Sequence, residues 1–285
     1  MRTTIGRITI FTVLTITLGT GMFLIAAWSV DDALNYEPSL QVGAIAIEGV
    51  DAKSFLVFDM ETGTEIASKK STEVLPIASV TKLFTAASFY ENADLDATTT
   101  ITWSDVNTEG RAGKLHAYEK YKSRELLFPL LLESSNDAAS AMLRTEPTLL
   151  DAMQTYAEVA GLSQTHFEDT SGLSDKNVSN AYELFLLTRK LYFERPHIFD
   201  ITQLPQYIGT HTGWVNNDPL LEHEGFKGGK HGFTYEANRT GVFLFDETLT
   251  GGQKRIFGYV VLGSDDLVTD VEALRTRIRE NVRFE

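Results

Sequence analysis

Apolar and polar residues alternate with a strand-like period near both ends of the chain and a helix-like one between. Ser54-Phe55-Leu56-Val57-Phe58-Asp59 and Thr64-Glu65-Ile66-Ala67-Ser68 flank Met60-Glu61-Thr62-Gly63, which predicts a β-hairpin around a glycine turn. Thr240 to Phe245 and Arg255 to Leu262, with Gly251-Gly252 turning between them, predict a second strand pair. The intervening pattern predicts a helix with Ser79 in its first turn, and another from Ser123 to Leu132 kinked at Pro129. Further helices are expected from Asn136 to Leu143, from Thr148 to Ala160 and from Asn180 to Tyr192. Asp265 to Val282, with Leu267, Val271 and Leu274 on one face, closes the chain. Thr98 to Trp103 reads as extended, and Glu109 to Gly113 as a loop. Strands at both ends with helices between predict one α+β domain, its antiparallel sheet built from N- and C-terminal strands.

The first residues follow another pattern. Arg2 and Arg7 precede an uncharged stretch from Ile8 to Val30 that ends at Asp31-Asp32. Spanning a bilayer takes roughly 20 apolar residues, and positive charge on the N-terminal side predicts N-in orientation. The reading is residues 1–7 cytoplasmic, 8–30 a transmembrane signal anchor, 31–49 a tether and 50–285 a domain on the extracytoplasmic side of the cell membrane. A cleaved signal peptide competes. Ala26-Ala27 offers it only a poor cleavage site, because Leu24 or Ile25 stands where a small residue belongs.

Charge and composition narrow the partners. A net charge of −14 argues against nucleic acid, whose phosphates need a basic face. The absence of cysteine removes disulfides, thiolate metal sites and a cysteine nucleophile. There is no H-E-x-x-H and no ligand spacing among the histidines, so no metal or other cofactor is expected; His223, between Glu222 and Glu224, reads as a solvated loop residue.

Three stretches carry candidate chemistry. In Pro76-Ile77-Ala78-Ser79-Val80-Thr81-Lys82, helical spacing brings the Lys82 amine to the Ser79 hydroxyl. A lysine desolvated in an apolar helix can lose its proton and serve as the base a serine nucleophile needs. Glu133-Ser134-Ser135-Asn136-Asp137-Ala138-Ala139 lies between two helices, where helix capping is the plain alternative. Gly225-Phe226-Lys227-Gly228-Gly229-Lys230-His231-Gly232-Phe233-Thr234 permits close approach to a strand backbone, the alternative being a flexible turn with solvated lysines.

Together, in order, Ser79-Val80-Thr81-Lys82, Ser134-Ser135-Asn136 and Lys230-His231-Gly232 resemble the S-x-x-K, S-x-N and K-T-G set of penicillin-binding proteins and serine β-lactamases. Pro76-Ile77-Ala78, Ser134 to Ala139 and Thr170-Ser171-Gly172-Leu173 following Phe167 narrow the resemblance to the D-alanyl-D-alanine carboxypeptidase family, over roughly Ser54 to Leu262. It implies a β-lactamase/transpeptidase-like fold and hydrolysis of peptidoglycan stem peptides through a Ser79 acyl-enzyme, with β-lactams as inhibitors. Lys82 would be the base and Ser134 the proton relay. Asn136 would position Lys82 and the substrate amide, and Lys230 would supply positive potential. His231, Gly232, Phe233 and Thr234 would bind substrate, and the oxyanion would sit on the N–H groups of Ser79 and Phe233.

The chain departs from the family at His231, where threonine is usual. Lys227-Gly228-Gly229 is a competing register for the third motif, but only Lys230 leaves a threonine, Thr234, two residues beyond the motif glycine. The C-terminal β-domain of well-known members is expected to be absent. Alternatives are a β-lactamase, a D,D-endopeptidase, and a non-catalytic relative binding wall peptides or a partner protein. For the first, Glu146-Pro147-Thr148-Leu149 offers a deacylating glutamate, yet it follows Asn136 by only ten residues, and a helix connection is the better reading.

Overall fold

The computed structural model describes residues 40–42, 48–110 and 113–284. The expected anchor, 8–30, and most of the tether lie outside the described residues; within the tether, Leu40–Val42 forms a short strand. Among the described residues no helix is long and apolar enough to cross a membrane.

The unit Val42–Arg283 is built on a five-stranded antiparallel sheet. Its strands are β1 (Ser54–Asp59), β2 (Glu65–Lys69), β3 (Phe226–Thr234), β4 (Asn238–Thr248) and β5 (Lys254–Ser264), in the order β3-β4-β5-β1-β2. Leu56 pairs with Val260 and Phe58 with Gly258, so the N-terminal hairpin docks on the C-terminal one, as the strand pattern predicts. All six residues of β1 are buried, because both faces of the sheet are covered. Leu56, Phe58, Val242, Leu244, Val260 and Leu262 enter the core beneath the helices. Their neighbours Phe245 and Tyr259 are buried on the other face.

The helices are α1 (Thr81–Asn92), α2 (Trp103–Val106), α3 (Leu127–Leu132), α4 (Asn136–Thr145), α5 (Leu149–Val159), α6 (Ala181–Glu194), α7 (Pro196–Gln203) and α8 (Leu267–Asn281). Side-chain caps fix several of their starts: Ser135 Oγ accepts from the Ala138 N–H at 3.0 Å, and Asn180 Oδ1 from the Glu183 N–H at 2.8 Å. From Thr81 to Phe89 every residue of α1 is buried, including polar Thr81, Lys82, Thr85 and Ser88.

Four local expectations shift. Ser79 lies in a 3-10 turn, Ala78–Val80, just ahead of α1 rather than in its first turn. Pro129 does not lie inside one helix running from Ser123 to Leu132; Ser123–Leu126 is 3-10, and Pro129 is the third residue of α3, where the backbone nitrogen has no intrahelical acceptor to lose. Extended structure stops at Thr100, since Thr102 forms a capping box with Asp105 and starts α2 at Trp103. His223 is not freely solvated, its Nδ1 lying 2.8 Å from Glu272 Oε1 on α8. Glu146 caps the end of α4 and accepts from Thr148 Oγ1 at 2.6 Å, in keeping with a helix connection.

Candidate active site

The Ser79 turn is clamped between a loop and an edge strand. Ala78 has φ 45°, a left-handed value that costs a non-glycine residue on the order of 1 kcal/mol. The turn is held by the Ile77 N–H, which donates to Asn177 O at 3.0 Å, and by Thr240 Oγ1, which donates to Ile77 O at 2.9 Å. Gly172, at φ 84°, packs beneath it so closely that a Cβ there would lie 2.0 Å from Ala78 O. On the other side a Cβ on Gly232 would lie 2.5 Å from Ser79 N. β3 is the sheet's edge strand, so alternate backbone groups along it are free of the ladder on the side away from β4.

Lys82 is fully buried, and its Nζ lies 3.0 Å from Ser79 Oγ, 2.7 Å from Asn136 Oδ1 and 2.6 Å from Ser171 O. All three oxygens are uncharged. Burial first, and then the Lys230 cation, hold the amine well below the usual lysine value, with Asp169 opposing. The Asn136 amide is oriented from its far side: Nδ2 donates to Glu109 O at 2.9 Å and Gly110 O at 3.1 Å, which turns Oδ1 toward Lys82.

Ser134 sits at the α3–α4 turn with φ 58°, half-exposed, and its hydroxyl has no hydrogen-bond partner among the described residues. Lys230 is buried on β3, donates to His231 O at 2.6 Å, and is pushed down to about 8 by burial, with Asp218 opposing. Ser79, Lys82 and Asn136 are therefore joined directly, while Lys230 reaches Lys82 through its field. His231 Nδ1 lies 3.6 Å from Asp218 Oδ2. Phe233 is half-exposed beneath the Arg239 guanidinium, and Thr234 Oγ1 accepts from the Ala237 N–H at 3.1 Å, a turn contact.

Two supporting residues escaped the motif reading. Asp169 Oδ1 accepts from the Ser171 N–H at 2.6 Å and the Gly172 N–H at 2.5 Å, and Oδ2 from the Ser174 N–H at 2.7 Å. Asn177 accepts from the Glu168 N–H at 2.8 Å and donates to Asp169 O at 2.9 Å. Together they hold the loop that offers Ser171 O to Lys82. Thr170 to Leu173 was visible as a family flank, but neither Asp169 nor Asn177 has a local pattern that announces this role.

A serine hydroxyl against a buried amine held well below the usual lysine value, beside an edge strand that leaves backbone groups open, is equipped for acyl transfer through a covalent ester. Fold and site together are those of the penicillin-binding, transpeptidase-like class of serine enzymes. Residues 41–265 match the family model described as D-alanyl-D-alanine carboxypeptidase, and the chain belongs to that family of serine hydrolases. The D-alanyl-D-alanine carboxypeptidase DacB2 of Mycobacterium tuberculosis is 29% identical over 211 residues, 70% of this chain and 72% of that protein. A D-alanyl-D-alanine endopeptidase of Haemophilus influenzae is 34% identical over 144 residues, 48% of this chain and 49% of its own, so the chain matches about half that relative's length. Penicillin-binding protein D2 of Listeria monocytogenes, solved in its cefotaxime-bound form, superposes with TM-score 0.70 at 23% identity, covering 81% of this chain and 97% of that one.

Proposed function

We propose that this chain removes the terminal D-alanine from peptidoglycan stem peptides through a Ser79 acyl-enzyme, at the outer face of a membrane to which residues 8–30 anchor it. The hydrogen bonding of Lys82 carries the reading. A neutral amine has two hydrogens and one lone pair. Asn136 Oδ1 and Ser171 O, at 2.7 and 2.6 Å, accept the two hydrogens, which leaves the lone pair for the Ser79 hydroxyl at 3.0 Å.

Ser79 Oγ attacks the carbonyl of the penultimate D-alanine as its proton passes to Lys82 Nζ. The oxyanion is taken by the N–H groups of Ser79 and Phe233; losing one such donor typically costs about 100- to 1,000-fold in rate. As the C–N bond breaks, Ser134 gives its hydroxyl proton to the departing D-alanine amine and takes the proton held by Lys82, so that both side chains return to their starting states. Water then attacks the ester, Lys82 accepts its proton and hands it to Ser79 Oγ, which leaves as the hydroxyl. Lys230 and His231 face the terminal carboxylate, while Gly232, Phe233 and Thr234 lie along the substrate. A β-lactam presents the same carboxylate and a strained amide, and stops at the acyl-enzyme.

Fluorescent penicillin with mass spectrometry of the labelled peptide tests this: the adduct is expected on Ser79. No adduct at any concentration overturns the catalytic reading in favour of wall-peptide binding, and an adduct on another serine overturns the site. The 34% identity to an endopeptidase gives that activity a place as second reading. Purified cross-linked and uncross-linked muropeptides separate the two. Membrane fractionation of the full chain with its N-terminus intact checks the anchor.

A further inference from the structure

Asp218, in the loop before β3, is only 9% exposed. Its N–H donates to Asn216 Oδ1 at 3.0 Å, and its Oδ1 accepts from the Leu220 N–H at 2.9 Å. Asn216 is fixed in turn, its Nδ2 donating to Thr202 O at 2.8 Å and Leu204 O at 3.0 Å. The carboxylate is thereby oriented with Oδ2 facing His231 Nδ1, 3.6 Å away. Both of these atoms are closed to solvent and neither has a hydrogen-bond partner, so each is the other's nearest polar complement. A buried carboxylate oxygen beside a buried ring nitrogen is tolerable only with a proton between them, which places the hydrogen on Nδ1. The histidine side chain is 25% exposed, and Nε2 is the ring nitrogen left unenclosed. In the neutral ring Nε2 carries a lone pair that repels a carboxylate; in the cation it is a donor.

We propose that Asp218 positions His231 as a proton-linked receptor for the substrate's terminal carboxylate, the ring taking up a proton as the carboxylate binds beside Nε2. This rests on the carboxypeptidase reading above and adds a residue outside the three motifs. The titratable groups facing the ring are Lys230 on its own strand, Lys82 from α1 and Asp218 from the preceding loop. Burial, then Lys230, hold the free ring below the usual imidazole value against the pull of Asp218. An arriving carboxylate adds a second anion and tips that balance. The family's threonine would donate at any pH; here recognition strengthens as pH falls.

The test is the second-order rate of Ser79 acylation by benzylpenicillin over about pH 5 to 8, centred on the imidazole range, for the full wild-type chain and His231→Thr. Dividing one profile by the other cancels the titration of Lys82. The ratio of wild type to variant is expected to rise toward acid by about tenfold, the gain one linked proton gives per pH unit; a flat ratio overturns the proposal. In Asp218→Asn, which keeps a hydrogen-bond acceptor without charge, the rise is expected at lower pH; an unmoved profile overturns the role of Asp218. Wild type alone gives a further check. Inhibition by a peptide ending in D-Ala-D-Ala should strengthen toward acid, and inhibition by its C-terminal amide should not; equal dependence overturns the receptor. Were Ser79 never labelled, the catalytic reading would fall. Proton uptake on binding the same peptide, by calorimetry in buffers of different ionisation enthalpy, would still decide the receptor: uptake supports it and no uptake overturns it.

Discussion

Lys82 and Arg275 are both buried cationic side chains, and the protein treats them in opposite ways. Arg275 on α8 is surrounded by charge complement. Its Nε donates to Glu247 Oε1 at 2.6 Å, its Nη2 to Glu224 O at 2.6 Å, and its guanidinium lies 3.6 Å over the Phe245 ring. Glu247 also accepts from Arg279 Nε at 2.6 Å and from Tyr259 at 3.1 Å. Lys82, under the helices, meets only neutral oxygens. Burying a charge is costly unless it is paired. Arg275 is paired with Glu247 and joins α8 to the sheet, whereas Lys82 has no carboxylate against it, and burial with the nearby Lys230 cation holds its amine well below the usual lysine value. Burial is common to both; the choice of partner separates a paired cation from an amine whose charged form is disfavoured.

The sharpest way to break this contrast is Lys82→Met. Acylation by penicillin is expected to fall about 1,000-fold, within the range for loss of a general base. The melting temperature should move only by the equivalent of about 1–2 kcal/mol, because two hydrogen-bond donors are lost while a desolvated amine is relieved. A large loss of stability with acylation preserved would mean that Lys82 is a packing residue. Arg275→Met should do the reverse. It leaves Glu247 buried with one fewer cation, at a cost of about 3 kcal/mol by denaturant titration. Acylation per folded molecule should stay within a factor of about two, since the change is made on the far face of the sheet. The double variant Glu247→Gln/Arg275→Met should recover part of the loss; no recovery would mean that the pair is not coupled.

The same contrast shows what the chain discloses before folding. Ser79 and Lys82 are legible because three residues of helix-like spacing bring them together locally. The two hairpins were legible because β1 and β5 are apolar runs bounded by turn residues. Asn136 was legible through its neighbours in sequence. Asp169, Asn177 and Asp218 were not: each works by holding backbone or a side chain that only the fold brings near, and an isolated Asp or Asn in a polar stretch looks like any turn residue. Arg275 was hidden for the same reason, since its partner Glu247 lies 28 positions away on another element. The 3-10 turn at Ser79 also escaped, because it is the packing of Gly172 and Gly232 against Ala78 and Ser79 that sets it, not the propensity of Ala78.

The smallest effect, and the finest test of the unpaired state, is the pH profile. Only the unprotonated Lys82 amine can take the serine's proton, so acylation falls as pH drops through its value. Lys230 depresses that value and Asp169 raises it, Lys230 having the larger influence. Removing an anion makes the amine hold its proton less firmly, so Asp169→Asn should move the acid limb to lower pH. Removing a cation does the opposite, so Lys230→Gln should move it to higher pH, and further. The height of the profile is not the readout, because Lys230→Gln also weakens carboxylate binding. Lys230 adds an alkaline limb of its own: burial pushes it to about 8, so above that pH the cation is lost and acylation should decline. That second limb should vanish in Lys230→Gln and persist in Asp169→Asn. Acid limbs that moved in the same direction in both variants would show that loop displacement, not charge, controls Lys82.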